Sequence, residues 1–369
     1  MPDFLRATID VLLGIGLLFG GGELFVQGSV ALALVFGIPQ LVIGLTVVSL
    51  GTSAPELFVS LSSVFRGSDA LAVSNAVGSN IFNVMVVLGA SALVLPLRVE
   101  SRLVRRDIPL LISISAAVWG MASAGRMTWQ AGIALLVGLM INTVWEIRTA
   151  REQPDVSVDA EPEVDANAGQ GGWTLAVIKL IAGIAVLTIG SRVLVSGAIT
   201  AATLLGVSEA VIGLTIVSAG TSTPELITSM VAALRGRTDL AIGNVVGSCL
   251  LNLTLVLGGG SLAAGSRGLI VSADLIHDDL PVMLLTSLAC LPIFWTKGVI
   301  SRVEGGLLLG LYLLYVIDNI LPRTSMASWA DEFRLVMLCL VIPAVMVIIV
   351  TQALIYWKGG SESQQRLVK

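Results

Sequence analysis

The sequence predicts an all-α integral membrane protein built from two inverted-topology five-helix repeats, with one extra C-terminal transmembrane helix. Three observations predict it. Of the 369 residues, 55% are hydrophobic and only 12% are charged, about half the charged fraction of a soluble chain. The apolar segments run to roughly 20 residues or more, the length a helix needs to cross a bilayer. The chain also matches itself at a shift of 169 residues. Alternating segments of about 10 residues, the mark of an outer-membrane barrel, are absent.

With glycine, proline and charge as punctuation, the first repeat places helices over 8–35, 40–65, 70–95, 108–124 and 129–148. The start, MPDFLRATIDVLLGIGLLFGGGELFV, has one arginine and no A-x-A site before its apolar run continues. It is expected as a retained first helix rather than a cleaved signal. Residues 150–172, AREQPDVSVDAEPEVDANAGQGG, are too acidic and too rich in proline and glycine to pack, and read as a solvated linker. The second repeat follows at 173–203, 208–234, 238–263, 280–296 and 299–320, and the extra helix at 333–357. The expected organisation is a first repeat over 1–149, a linker over 150–172, a second repeat over 173–320, and an extra helix with a tail over 321–369.

The shift of 169 lays GIPQLVIGLTVVSLGTSAPELFVSL (37–61) on GVSEAVIGLTIVSAGTSTPELITSM (206–230). It also lays RGSDALAVSNAVGSNIFNV (66–84) on RGRTDLAIGNVVGSCLLNL (235–253) without a gap. Five is an odd number, so the second copy must enter the membrane from the opposite side. Inverted repeats of this kind are characteristic of secondary transporters, whose substrate lies near the midplane where the copies meet. Alternating the loops puts Arg98, Arg102, Arg105, Arg106, Arg148, Arg151, Arg235 and Arg237 on the linker side, with the cations at 297, 302, 358, 366 and 369. Arg6, Arg66, Arg126, Arg267, Arg323 and Arg334 fall on the other side. The positive-inside rule then makes the linker and C-terminus cytoplasmic and the N-terminus external.

The polar residues repeat as well. Residues three and four apart share a helix face, so Ser49, Thr52, Ser53 and Glu56 form one oxygen-bearing stripe, and Ser218, Thr221, Ser222 and Glu225 form its twin. Pro55 and Pro224 should break each helix at that point, and irregular backbone at membrane depth is tolerated only where it is buried or lines a cavity. In the following helices Ser79 with Asn83, and Ser248 with Asn252, repeat a four-residue spacing, with Gly78 and Gly247 allowing close helix approach beside them. A charge in hydrocarbon costs several kcal/mol and rarely stands there without a task. Two glutamates at matching repeat positions are therefore read as a pair of ligands. Carboxylate, hydroxyl and amide oxygens suit Ca2+, and also Na+; no imidazole or thiolate joins them, which argues against zinc or copper. A single Ca2+ or several Na+ would neutralise the pair. Mutually exclusive occupancy would make an antiporter.

Other classes fit poorly. A net charge of −4 offers no basic face for nucleic acid. Cys249, Cys290 and Cys339 all fall in apolar segments and read as small hydrophobes. The spans hold no activated Ser, Cys or His constellation, so no enzyme is expected, and no cofactor. A passive cation channel would favour rotational symmetry about a pore over an inverted repeat. Glu23 and Arg192, 169 apart, are expected to be structural. His277, in SADLIHDDLP beside Asp274, Asp278 and Asp279, is expected in a solvated loop, and the linker acids lack EF-hand spacing.

At these residues the chain resembles a known family. GTSAPE with SNAVGSNIFN, and GTSTPE with GNVVGSCLLN, are similar to the paired repeats of the calcium/cation antiporter superfamily, and particularly of prokaryotic sodium/calcium exchangers. The likeness covers residues 8–320. It implies a ten-helix exchanger fold with helices 2, 3, 7 and 8 at the centre, and helices 1 and 6 sliding over them. It implies Glu56 and Glu225 as carboxylates shared by Ca2+ and Na+. Thr52, Ser53, Ser79, Thr221, Ser222 and Ser248 would complete Na+ sites with the carbonyls of Ser49 and Ser218, and Asn83 and Asn252 would lie centrally. Transport would be three Na+ for one Ca2+ across a prokaryotic plasma membrane. Asn252 stands where potassium-dependent members have aspartate, which argues against K+ cotransport, and Cys249 replaces the second Asn of the GSN pattern. The alternative within the superfamily is an H+/Ca2+ exchanger, but proton-coupled members place glutamate in a GN-x-x-E pattern where this chain has Gly78 and Gly247. The extra helix would be a contact between copies or a peripheral brace.

Overall fold

Helix is the structure that satisfies every backbone group within one segment in hydrocarbon, and the apolar runs adopt it. The computed structural model describes residues 2–152, 172–204, 218–295, 298–323, 327–345, 347 and 351. Most of the expected linker, the first part of the expected 208–234 span and the end of the 333–357 span lie outside the described residues. In chain order the helices are α1 (Pro2–Phe36), α2 (Gln40–Ile43), α3 (Ser49–Thr52), α4 (Ala54–Phe65), α5 (Asp69–Phe82), α6 (Leu88–Val94), α7 (Ile108–Ala122) and α8 (Trp129–Glu152). Then come α9 (Gly172–Leu204), α10 (Ser218–Thr221), α11 (Thr223–Leu234), α12 (Thr238–Leu251), α13 (Leu257–Ala264), α14 (Leu280–Trp295), α15 (Arg302–Ile320) and α16 (Ala330–Val336).

Seven described helical spans are long and apolar enough to cross a membrane, and the pair Gln40–Thr52 and Ala54–Phe65, bent by 45°, makes an eighth. The expected 108–124 span is the 15-residue α7, preceded by a π-helical turn over Leu103–Asp107. Burial separates the layers. Of the most apolar stretches, 94% is buried within Thr238–Arg267 and 72% within Asp69–Val94, against 17% within Trp129–Thr149 and Arg302–Ile320. The spans carrying Ser79, Asn83, Ser248 and Asn252 are thus the core, and α8 and α15 face outward.

The repeated Arg-Gly turns have a physical reason. Gly67 and Gly236 sit at φ 76° and 71°, the left-handed region that favours glycine at a helix C-terminus. The Ser68 N–H donates to the Ser63 carbonyl at 2.8 Å, and the Arg237 N–H to the Ala232 carbonyl at 2.8 Å, which satisfies the last carbonyls of α4 and α11.

The halves are joined by two short ribbons that hydropathy did not predict. β1 (Leu97–Arg98) pairs antiparallel with β4 (Val299–Ile300), and β2 (Arg126–Met127) with β3 (Leu269–Ile270). Each ribbon takes one strand from each repeat. Equivalent residues also meet each other: Asn80 Nδ2 donates to the Cys249 carbonyl at 3.2 Å, and the Ser115 and Ser287 hydroxyls lie 3.3 Å apart. The pseudo-two-fold axis passes between them. The Asn80–Cys249 pair keeps the shift of 169, whereas Ser115 and Ser287 are separated by 172. A three-residue 3-10 turn, Gly265–Arg267, accounts for the difference.

Two peripheral expectations need correction or sharpening. Glu23 pairs with Arg235, Nη2 to Oε1 at 2.6 Å, and accepts from Gln27 at 2.8 Å, which is a structural role as expected. The SADLIHDDLP segment is more than a solvated loop. It forms a π-helical turn, Leu275–Asp279, in which Asp279 accepts from Tyr315 Oη at 2.7 Å and Asp278 pairs with Arg334 of α16 at 3.3 Å. The expectation of a solvated loop falls short there because the carboxylates' partners, Tyr315 and Arg334, lie far along the chain.

Candidate functional site

Each glutamate is placed by a broken helix. α3 ends at Thr52, Ser53 leaves helical geometry at φ −81°, ψ 4°, and α4 restarts with Pro55 and Glu56 in its first turn. Proline is tolerated there because its missing N–H would have no intrahelical partner. The second repeat copies this: α10 ends at Thr221, Ser222 has φ −90°, ψ 7°, and Pro224 and Glu225 open α11. Each carboxylate also stands at a helix N-terminus, where the backbone dipole favours negative charge.

The two halves cross-bond. Ser53 Oγ of the first donates to Glu225 Oε1 at 3.1 Å, and Ser222 Oγ of the second donates to Glu56 Oε1 at 2.9 Å. The Ser222 and Ser79 hydroxyls lie 2.9 Å apart, and those of Thr52 and Ser248 3.5 Å apart. Glu56 and Glu225 are both fully buried. Their second oxygens, Glu56 Oε2 and Glu225 Oε2, have no hydrogen-bond partner among the described residues, and neither do the amide atoms of Asn83 and Asn252. A buried polar group left unpaired costs about 1–3 kcal/mol and more when charged. Six such atoms on four matched residues therefore mark a place built for something other than packing.

Asn83 and Asn252 each open a π-helical turn, Asn83–Val87 and Asn252–Val256, a local widening frequent at functional sites. Of the other expected residues, the Ser49 hydroxyl is turned back onto the Leu45 carbonyl at 2.9 Å, and the Ser49 carbonyl accepts the Ser53 N–H at 2.9 Å. Ser218 begins α10, and its side chain lies outside the described residues. Gly247 fits its expected role: a Cβ there would stand 2.6 Å from the Leu45 carbonyl oxygen. Among the described residues, no group of three His, Cys, Asp or Glu side chains is placed to hold a metal ion. The polar groups gathered here are two carboxylates with hydroxyls and amides.

Two residues were missed by the sequence reading. Asn75 Nδ2 donates to the Glu56 carbonyl at 3.2 Å and to Ser60 Oγ at 3.0 Å, while Asn75 Oδ1 accepts from Thr221 Oγ1 at 3.3 Å. Asn244 repeats this with the Glu225 carbonyl at 3.4 Å, Ser229 Oγ at 2.9 Å and Thr52 Oγ1 at 3.1 Å. Each carboxamide ties its own glutamate's backbone to the other half's threonine. The signal was present, since 75, 79 and 83, and 244, 248 and 252, continue the same four-residue spacing one turn back. Partners that orient ligands typically matter about 10–100-fold. Asn75→Ala and Asn244→Ala are accordingly expected to weaken, by about that factor, cation binding at the glutamate pair that the sequence predicts, read as the half-saturating cation concentration of initial flux.

This geometry has counterparts among known proteins. A family model described as sodium/calcium exchanger protein matches residues 7–148 and 175–321, one stretch in each half. The chain is 32% identical over 325 residues to the inner membrane protein YrbG of Escherichia coli, covering 86% of this chain and 99% of that protein. It is 30% identical over 341 residues to the sodium/calcium exchanger MaX1 of Methanosarcina acetivorans, covering 83% and 96%. A solved structure of the sodium-calcium exchanger NCX_Mj, soaked with Na+ and without Ca2+, superposes with a TM-score of 0.72 at 30% identity, over 85% of this chain and 98% of that one. With both halves matched and the same fold in a solved relative, the chain belongs to the sodium/calcium exchanger protein family, an antiporter family of integral membrane proteins.

Proposed function

We propose that this protein exchanges Na+ for Ca2+ across a prokaryotic inner membrane by alternating access, both ions competing for Glu56 and Glu225. The observation that carries the reading is the pair of crossed Ser–Glu bonds, which leave Glu56 Oε2 and Glu225 Oε2 buried between the inverted halves without a hydrogen-bond partner among the described residues. Two carboxylates match the charge of one Ca2+. The hydroxyls of Thr52, Ser53, Ser79, Thr221, Ser222 and Ser248 and the amide oxygens of Asn83 and Asn252 are the remaining hard donors. Na+ entering that set repels Ca2+ from the shared carboxylates, which couples the two fluxes. In this reading the linker and C-terminus face the cytoplasm, the N-terminus lies outside, and the units are 1–149, 150–172, 173–320 and 321–369. The presence of an inner membrane protein among the relatives supports the location.

The test is uptake of radioactive Ca2+ into proteoliposomes loaded with Na+, beside K+-loaded and pH-gradient controls. Uptake should follow the Na+ gradient alone. Uptake driven only by the pH gradient would replace the reading with H+/Ca2+ exchange, and equal uptake without either gradient would indicate a channel.

A further inference from the structure

Where α16 meets the second repeat, the molecule keeps a groove of about 240 Å3. Its wall is apolar: Leu285, Ala289 and Ile293 of α14, Leu308 and Leu311 of α15, and Met337 just beyond α16. Lengthwise it reaches from Glu304 to Asp318 of α15, fourteen residues or about 21 Å at 1.5 Å per residue. One leaflet of hydrocarbon is about 15 Å deep, half of the roughly 30 Å core. A helix about 10 Å across and 21 Å long would need many times this volume, and the volume is below the roughly 300–1,000 Å3 of drug-sized ligand sites. The length and apolar wall suit part of a single flexible hydrocarbon chain.

One mouth of the groove is charged, lined by His277, Asp278, Asp318 and Arg334. Arg334 donates to Asp278 Oδ1 at 3.3 Å, and to Asp318 at 3.4 and 3.2 Å. Asp278 and Arg334 are nearly half exposed, at 46% and 45%. Two carboxylates stand against one guanidinium, so the mouth carries an excess negative charge beside a cation with donors to spare. The first repeat is built differently at the corresponding place. At the shift of 172, Arg106 replaces Asp278 and Glu146 replaces Asp318. There Arg102 and Arg106 both bond Glu146, and Arg106 lies 3.4 Å over the Trp145 ring. That end supplies its own cations, whereas the second repeat receives its cation from α16, outside the repeat.

We infer that this groove binds one phospholipid whose headgroup carries a primary ammonium, of the phosphatidylethanolamine class. The acyl chain lies along Leu285, Ala289, Leu308 and Leu311, the phosphate meets Arg334, and the ammonium meets Asp278 and Asp318. An anionic headgroup without an amine would face the surplus carboxylate uncompensated. Hydrogen bonds to charged groups contribute about 1.5–3 kcal/mol, so the amine should favour binding by about tenfold or more.

The test uses the full chain in nanodiscs holding equal phosphatidylethanolamine and phosphatidylglycerol with identical acyl chains. Retained lipid is counted by native mass spectrometry after release into detergent. One phosphatidylethanolamine per chain is expected, at about tenfold or more over phosphatidylglycerol. Asp278→Asn with Asp318→Asn should bring the two lipids to parity. Leu285→Trp, at a position 40% exposed, should release both by filling the groove. The competition in the unaltered protein already decides: equal retention, no retained lipid, or a dimer seated on α14 and α15 overturns the proposal. Lipid retention unchanged by Leu285→Trp would overturn its location.

Discussion

Glu56→Gln and Glu225→Gln are each expected to lower Na+-driven Ca2+ uptake by two to three orders of magnitude, or about 3–4 kcal/mol. Glutamine keeps the size of the side chain and an oxygen for Ser222 or Ser53, which donate at 2.9 and 3.1 Å. The substitution therefore removes charge and leaves the crossed bonds in place. With one carboxylate gone, the buried pair no longer balances a divalent ion. The fold should survive, since a buried carboxylate with one unpartnered oxygen is itself costly, and thermal unfolding of the detergent-purified variants should be unchanged or slightly later. Loss of flux with intact folding separates a ligand role from a structural one. Normal flux in either variant would remove both glutamates from the site.

How much of this could be read from the chain depends on the range of the interaction. Helix positions came from local apolarity, and the pairing of Glu56 with Glu225 came from the repeat, because duplicated motifs carry long-range information in one dimension. Which serine meets which glutamate was not legible: Ser53 lies three residues from Glu56 yet donates across the molecule to Glu225. Nothing in a helical stripe reveals that exchange, which arises only when the two broken helices face each other. The ribbons escaped for a similar reason, since Leu97–Arg98 and Val299–Ile300 are two-residue strands with no periodicity to detect. Arg334 looked like an ordinary loop cation until α16 brought it to Asp278 and Asp318.

One signal was legible and overlooked, and it carries the second large expected effect. Gly14, Gly21 and Gly28 of α1 recur every seven residues, as do Gly183, Gly190 and Gly197 of α9, each matched at the shift of 169. The two helices run antiparallel with these glycines against each other's backbone. A Cβ on Gly14 would meet Leu194 N at 2.6 Å, on Gly21 Leu187 N at 2.8 Å, and on Gly28 Leu180 N at 2.8 Å; on Gly183 it would meet Phe25 Cα at 2.7 Å. Small residues at such spacing let membrane helices approach closely where the hydrophobic effect offers no attraction. The pair also touches both broken helices. Ser191 Oγ donates to the Gly220 carbonyl at 2.5 Å, two residues before Ser222, and Ile184 lies against Gly51. Gly183→Leu should force α1 and α9 apart and abolish transport, and Gly183→Ala should lower stability by about 1–3 kcal/mol. Gly16 and Gly20 face open space, with nothing within 4 Å of an added Cβ. Alanine at either should leave transport intact and stabilise its helix by up to about 1 kcal/mol. Thermal unfolding and Ca2+ flux measured on all four variants check this contrast, and equal behaviour of Gly183→Ala and Gly16→Ala would show that backbone contact between α1 and α9 does not hold the site helices in place.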